Sequence, residues 1–424
     1  MSVFPLPLNA IEHYMLADDT ADYPRLFWLT LRLRIQLDEA RLRQAIDAAT
    51  ARHPLLRANV EYDGGRPRRW IECREPRYWL RLLDAVDDTE RVVEAIDLRR
   101  EPGVRFRVER GELGDTLACE FHHATTDGIG AMQFVRDLLA MYVADSAETS
   151  ADLPALDSTR LATRNSFGLT GWRRPLRWLY GTFGWLGAIE YLVHHPAPLG
   201  TLQAPNDPFG RRSGFCSRTL TEDDTRRIVE AAKSEGVTVN DRLIRDIFTA
   251  TQAFIERHAP ESRRRHQRIM VPTNLRAAGD ECLPAANVVA MVNIDRRPHR
   301  WQNKSQMLWM LHRELDVVKR LRLGIVFVQI LGALDWLFGS LRRFLPTDRC
   351  QATCVASNLG VLPEFSNDVV QAVEFYPPIR PLTASAFGAV TFGRRFGISL
   401  HYDASAFTTV EAEELLERLM EELR

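Results

Sequence analysis

The sequence predicts an α/β (α+β) protein with two domains, or two lobes sharing a cleft. Three observations predict it. At 424 residues the chain is too long for one ordinary core. Apolar runs of period two alternate with runs of period 3.6 along most of its length. Both patterns fade between about Glu148 and Phe215, which divides the regular signals into two groups.

The first group opens with FWLTLRLRIQL. Phe27, Leu29, Leu31, Leu33, Ile35 and Leu37 alternate with Trp28, Thr30, Arg32, Arg34 and Gln36, the pattern of a half-buried strand. Asp38 can cap a helix whose Leu42, Ala45, Ile46 and Ala49 share one face, and Pro54 closes that helix. LLRANVEY then reads as a strand with its turn at Asp63-Gly64-Gly65. TLACEF (116–121) alternates Leu117, Cys119 and Phe121 with small or polar partners, as a strand does. After Gly128, residues Ile129, Met132, Val135, Leu138, Leu139 and Tyr142 fall at helical spacing.

The middle stretch collects Pro, Gly and aromatic residues and is too apolar to remain in water, so a packed crossover is expected at 151–212, between a lobe at 1–150 and another at 213–424. Regular signals resume with the strand SGFCSRTL, the capped helix TEDDTRRIVEAAKSEG, a second helix after Asn240-Asp241 and the strand RIMVPTNL. The chain ends in strands FGAVTFG and FGISLHYD and the helix VEAEELLERLMEELR.

Composition excludes some functions. A net charge of −1 gives no global attraction to nucleic acid, and no nucleic-acid-binding motif stands out. Cysteines 73, 119, 216, 282, 350 and 354 form neither a disulfide framework nor a zinc-ligand pattern, so free thiols in a reducing compartment are expected. The start, MSVFPLPLNAIEHYM, shows no secretory signal, and the cytoplasm is the expected location.

The chemistry concentrates in residues 121 to 130, FHHATTDGIG, where the strand ends and the helix begins. Asp127 could simply cap that helix. A second pair, His194 and His195, has no acid nearby and reads as structural or surface. Two His and one Asp could grip a metal, but neighbours on a strand point to opposite faces, so no metal site is expected. The same divergence leaves one histidine facing a cleft and the other packed into the lobe. A neutral imidazole there can take a proton from an alcohol, amine or thiol, while a carboxylate holds the loop, directly or through an arginine. Gly128 would let the backbone turn sharply.

HHATTDG at such a junction resembles the chloramphenicol-acetyltransferase-like superfamily, which includes peptide-synthetase condensation domains, wax ester synthases, and polyketide-associated and alcohol acyltransferases. RHPLLR (52–57), VTVNDRLIRDIF (237–248), VPTNLR (271–276), SNLGVLP (357–363) and SLHYD (399–403) follow in the order that group shows. The resemblance implies two lobes with a tunnel between them, His123 as general base, and Asp127 as a structural acid paired with an arginine. Arg57 is the position matching that arginine, and His122 and Gly128 would support the site. Ser357, Asn358 and Gly360 would line the tunnel or, with the Gly128 amide, bind an oxyanion. The D-F-G-W-G signature of plant members is missing, and AFGAVTFG is only an echo of it.

Two stretches are unusually apolar. LGIVFVQILGALDWLFGSL (323–341) lies between Lys319, Arg320 and Arg322 on one side and Arg342 and Arg343 on the other. GWRRPLRWLYGTFGWLGAIEYLV (171–193) is rich in Trp and Tyr. Asp335 argues against a membrane span in the first; a core or tunnel-wall helix, or a helix lying in a membrane surface through 319–343, fits better.

The reading that follows is an acyltransferase with no bound cofactor. Its donor is an acyl thioester of coenzyme A or of an acyl carrier protein; its acceptor is a hydroxyl or amine on a small molecule or lipid. It would act as a monomer. Two alternatives remain: a stand-alone amide-forming condensation enzyme, and an inactive binding module of the same fold. A glycerolipid-type His-x-x-x-x-Asp, met by His122 and Asp127, lacks its companion Pro-Glu-Gly motif. A Gly-x-Ser-x-Gly elbow for a covalent serine intermediate is also missing.

Overall fold

The computed structural model describes residues 3–83, 93–144, 153–169, 175, 195–200, 212–298, 303–345, 347–363, 365 and 368–424. The 171–193 stretch, apart from residue 175, and His194 lie outside them, as does much of the expected crossover.

In chain order the first half holds β1 (Leu6–Pro7), α1 (Ala10–Ala17), β2 (Leu26–Leu33), α2 (Glu39–Arg52), β3 (Ala58–Asp63), β4 (Arg66–Glu72), β5 (Leu80–Leu83), β6 (Val104–Glu109), β7 (Thr116–His122) and α3 (Gly128–Val143). The second half holds β8 (Ser213–Thr219), α4 (Glu222–Ser234), α5 (Val239–His258), β9 (Gln267–Asn274), β10 (Val289–Arg296), α6 (Lys304–Arg320) and α7 (Gly324–Phe338). It ends with β11 (Cys354–Val361), β12 (Val370–Tyr376), β13 (Ser385–Phe392), β14 (Arg395–Asp403) and α8 (Thr409–Leu423). The α/β class expected from the alternating periods is the one observed.

Among the described residues the strands form three sheets, ordered β1-β4-β3, β12-β2-β7-β6-β5 and β10-β9-β11-β13-β14-β8. Helices α2 and α3 cover the second sheet, burying Leu42, Ala45, Ile46, Phe134 and Leu138 against Phe27, Leu29 and Phe121. Helices α5 and α8 cover the third, with Ile247, Phe248, Leu415 and Leu419 packed on Phe387 and Leu400. The helix starts follow the local chemistry: Asp38 caps α2, Thr221 caps α4, and Thr238 and Thr408 close capping boxes on α5 and α8.

Three features differ from the sequence expectations. Strand β2 ends at Leu33 and is covered on both faces, because Phe215 and His401 pack edge-on against Trp28. Strand β12, from the second half, pairs antiparallel with β2 and completes the first half's sheet. Next to it, β13 belongs to the other sheet, and the two approach so closely that a Cβ on Gly388 would lie 1.8 Å from the Phe375 carbonyl. Only glycine fits that seam, which explains Gly388 within AFGAVTFG.

The third difference is the apolar run at 323–341. Helix α6 ends at Arg320, and α7 leaves it at a bend of 60°. At 15 residues, α7 is roughly 22 Å long, short of the roughly 30 Å a bilayer core demands. No single helix among the described residues is long and apolar enough to cross a membrane. The first turns of α7 are core: Ile325, Val328 and Leu331 are buried, and Phe327 packs edge-on against Tyr14 of α1. Its last turn is bare, with Trp336 83% and Leu337 57% exposed.

Candidate active site

A cleft opens between the two large sheets. The first half contributes Tyr14 and Met15 of α1, Arg25, His123, Asp127 and the start of α3. The second contributes Met270 and Pro272 of β9, Arg276, Met291 of β10, and Ser357, Asn358 and Leu359 of β11.

The two histidines diverge, as strand alternation requires. His122 turns into the lobe: its Nδ1 accepts from the Ala124 amide at 3.1 Å, so Nε2 carries the proton, and Asp19 stands 3.6 Å away. His123 faces the cleft. Its backbone amide donates to the Arg25 carbonyl at 2.7 Å, which fixes the residue at the end of β7. Its ring packs 5.0 Å from Phe27. Burial pulls its pKa down to about 4, while its own carbonyl, accepting from the ring, pulls the other way. The imidazole is therefore neutral at pH 7.

Asn287, which no sequence pattern marks, holds this arrangement. Its side-chain amide donates to the His123 carbonyl at 2.6 Å and lies 3.1 Å from Nδ1. The segment around it, 285–288, crosses from the second half and bonds repeatedly to the first. The Ala285 amide donates to His53 Nδ1, the Ala286 carbonyl accepts from the Asp127 amide, and the Val288 amide donates to the Asp127 carboxylate.

Asp127 is both a helix cap and one half of an ion pair. Oδ1 accepts from the Gly130 amide at 2.9 Å; Oδ2 accepts from the Val288 amide and from Arg276 Nη1, each at 2.8 Å. Burial alone would raise its pKa, but the Arg276 charge and these donors hold it below the usual carboxylate value.

The partner is not Arg57. Arg276 closes the VPTNLR segment and takes that place from across the cleft. Arg57 ends a short 3-10 turn away from the cleft wall, with its Nε buried and unpaired. The working residues of RHPLLR are its first two. Arg52 donates to Asp137 at 2.7 Å, and His53, whose Nδ1 is taken by Ala285, turns its Nε2 to the same carboxylate at 3.2 Å.

Gly128 is also present for another reason than expected. Its φ is not positive; a Cβ there would lie 2.5 Å from Leu359 Cδ2, so the residue is small to admit the β11 segment. Within that segment Ser357 and Asn358 face the cleft. Gly360 does not line it: it sits at φ 79° in a bulge of β11, and its amide donates to Asn358 Oδ1 at 2.8 Å. It is not an oxyanion donor.

Comparison with known proteins agrees with this geometry. Residues 25–159, which carry both histidines and Asp127, match the family model for the condensation domain. The uncharacterized protein Rv2305 of Mycobacterium tuberculosis is 26% identical over 242 residues, 56% of this chain and 54% of that protein. Phosphinothricin tripeptide synthetase PhsC of Streptomyces viridochromogenes is 30% identical over 168 residues, 36% of this chain and 16% of that one. The chain thus spans about half the length of the Mycobacterium relative, and far less of the synthetase.

The fold matches over the whole length. The first condensation domain of the calcium-dependent antibiotic synthetase superposes with a TM-score of 0.72 at 15% identity, covering 100% of this chain and 96% of that one. The epimerization domain from the third module of tyrocidine synthetase B gives 0.71 at 14% identity, covering 99% and 96%. Residues 25–159 are thus similar in sequence to a condensation domain, and the chain as a whole shares the two-lobed fold of such domains.

Proposed function

We propose that the protein is an acyltransferase that moves an acyl group from a thioester to a hydroxyl or amine, with His123 as general base. One observation carries the reading: of the residues in HHATTDG, His123 alone presents a neutral imidazole to the cleft between the lobes. The ring nitrogen that carries no proton takes the acceptor's proton as the acceptor oxygen or nitrogen attacks the thioester carbonyl. The new C–O or C–N bond forms, the C–S bond breaks, and the proton leaves with the thiolate as a thiol. Holding donor and acceptor in one cleft makes the encounter effectively unimolecular. Donors for the oxyanion are the Gly128 amide, at the positive end of α3, and the Ser357 hydroxyl.

The cleft walls favour an apolar substrate, with Met15, Met270, Met291, Val355, Leu359 and Phe375 among them. Coenzyme A and an acyl carrier protein are both suitable donors. The bare end of α7 and the neighbouring Arg342 and Arg343 would let a monomeric, cytoplasmic protein meet a membrane surface. The match to condensation domains supports a second reading, an amide-forming enzyme fed by carrier proteins.

The test pairs octanoyl-CoA and octanoyl carrier protein with alcohol and amine acceptors, reading thiol release and product mass. His123→Ala should abolish transfer with an unchanged melting temperature, whereas His122→Ala should melt early. Transfer at the full rate by His123→Ala would remove it as the base. No transfer with any donor would favour a binding module.

A further inference from the structure

Beside His123 the cleft wall carries a charge that is not balanced among the described residues. Arg25 and Arg380 both line the cleft and are 4% and 3% exposed. They share one carboxylate: Asp18, capping the C-terminus of α1, contacts Arg25 Nη2 and accepts from Arg380 Nη2 at 2.6 Å. Arg25 Nη1 reaches the Ile379 carbonyl at 3.4 Å. Asp19 is turned away, accepting from the Arg25 backbone amide and facing His122. Among the described residues, Arg25 Nε and Arg380 Nε and Nη1 are buried without a partner. The third arginine of the cleft, Arg276, is matched by Asp127.

Two guanidiniums against one carboxylate leave one positive charge, shielded from water. Such a charge is expensive to hold unpaired, and the arginines repel each other. A packed structural bridge would need one arginine, not two.

We propose that Arg25 and Arg380 form a subsite for a carboxylate carried by the substrate. A carboxylate supplies the single missing charge, and its planar pair of oxygens suits guanidinium N–H donors. The apolar walls take the rest of the molecule. Because the Arg25 carbonyl accepts from the His123 amide, the anchored carboxylate lies close to the base. The carboxylate belongs either to the acceptor, as in a hydroxy acid, or to the acyl chain, as in a dicarboxylic half-thioester. In both cases it offsets the Arg25 charge, which disfavours protonated His123, so the base strengthens when substrate is in place.

This inference rests on the acyl-transfer reading for its chemistry but not for its binding test. The full-length protein is titrated with octanoate and with methyl octanoate while its thermal melting is followed. Octanoate should raise the melting temperature saturably and the ester should not. Arg380→Met should weaken octanoate binding by roughly 10- to 100-fold, and Arg380→Lys should restore part of it.

Transfer assays then compare 3-hydroxyoctanoate with its methyl ester as acceptors, and adipoyl-CoA with hexanoyl-CoA as donors. A preference in KM for the acid in one pair shows which substrate carries the group. Equal responses to octanoate and its ester, or full octanoate affinity in Arg380→Met, would overturn the subsite. If Arg380→Met does not fold, the acid-to-ester comparison on the wild type and Arg380→Lys decides. Octanoate binding without any transfer would leave the subsite standing and remove the acyl-transfer reading instead.

Discussion

Breaking the Asp127–Arg276 pair tests how the site is held. The Asp127 carboxylate accepts three hydrogen bonds, from Gly130, Val288 and Arg276, and two of these donors come from the other half of the molecule. Asp127→Ala strands the guanidinium, whose side chain is 14% exposed, and uncaps α3. Breaking a buried pair in this way costs about 3–5 kcal/mol. Arg276→Ala is milder, about 2–4 kcal/mol, because the carboxylate keeps its two amide donors. Independent losses would sum to about 5–9 kcal/mol, but the double variant leaves no stranded charge. It should be no less stable than Asp127→Ala alone, a coupling of about 2–4 kcal/mol. Asp127→Asn should also destabilise, since Oδ2 accepts from two donors and an amide NH2 there would face both. Urea unfolding of the four proteins supplies the numbers. Additivity within about 0.5 kcal/mol would show that the pair does not clasp the two halves.

Four further outcomes are expected. Arg57→Ala should show no coupling to Asp127→Ala in the same cycle, because Arg276 holds that carboxylate. Gly388→Ala should lower stability by at least about 1–3 kcal/mol, since its Cβ meets the Phe375 backbone rather than a movable side chain; soluble protein with wild-type melting would count against the seam. Stability should fall as pH drops from about 6.5 toward 4. His123 and His401 are held down to about 4, and His53 is lowered as well, all by burial. The unfolded chain then binds protons that the native state does not. Asp246, raised to about 6, works in the opposite sense, so a net gain in stability through this window in a pH series of urea melts would refute the histidine ledger. Finally, Trp336→Ser with Leu337→Ser should reduce sedimentation with anionic vesicles without lowering the melting temperature, because both side chains are exposed. Equal sedimentation would remove the membrane contact.

Local features of the site were legible in the sequence because they depend on neighbours in the chain. Alternation along β7 separates His122 from His123, and an Asp before Gly128 at the start of a helical period is an N-cap. What spacing does not encode is which distant group meets which. Arg57 and Arg276 are equally plausible partners for Asp127 on local evidence; the choice depends on how β9 lies across the cleft. Asn287 sits in a stretch without motif or period, and only its place opposite His123 gives it a role. The run 323–341 looked uniform because hydrophobicity does not show that one face of α7 meets Tyr14 and the core while its end meets solvent.

The clasp also constrains how substrates enter. Asn287 holds the carbonyl of His123, while Val288 and Arg276 hold Asp127, and all three reach over from the second half. Gly388 on Phe375, and β12 paired with β2, tie the halves again. A motion that parted the lobes to admit substrate would strip His123 and Asp127 of their supports together, and would break a sheet. Access by lobe opening therefore carries a penalty of several kcal/mol from the Asp127 pair alone. Entry through the mouth of the cleft avoids that penalty. The movable parts of its wall are then side chains, chiefly Met15, Met270 and Met291, whose unbranched thioethers change shape at little cost. A flexible apolar chain can thread past such a wall, whereas a rigid bulky acceptor cannot. On the acyl-transfer reading proposed above, the rigidity of the clasp would favour long, slender substrates on physical grounds separate from the greasiness of α7.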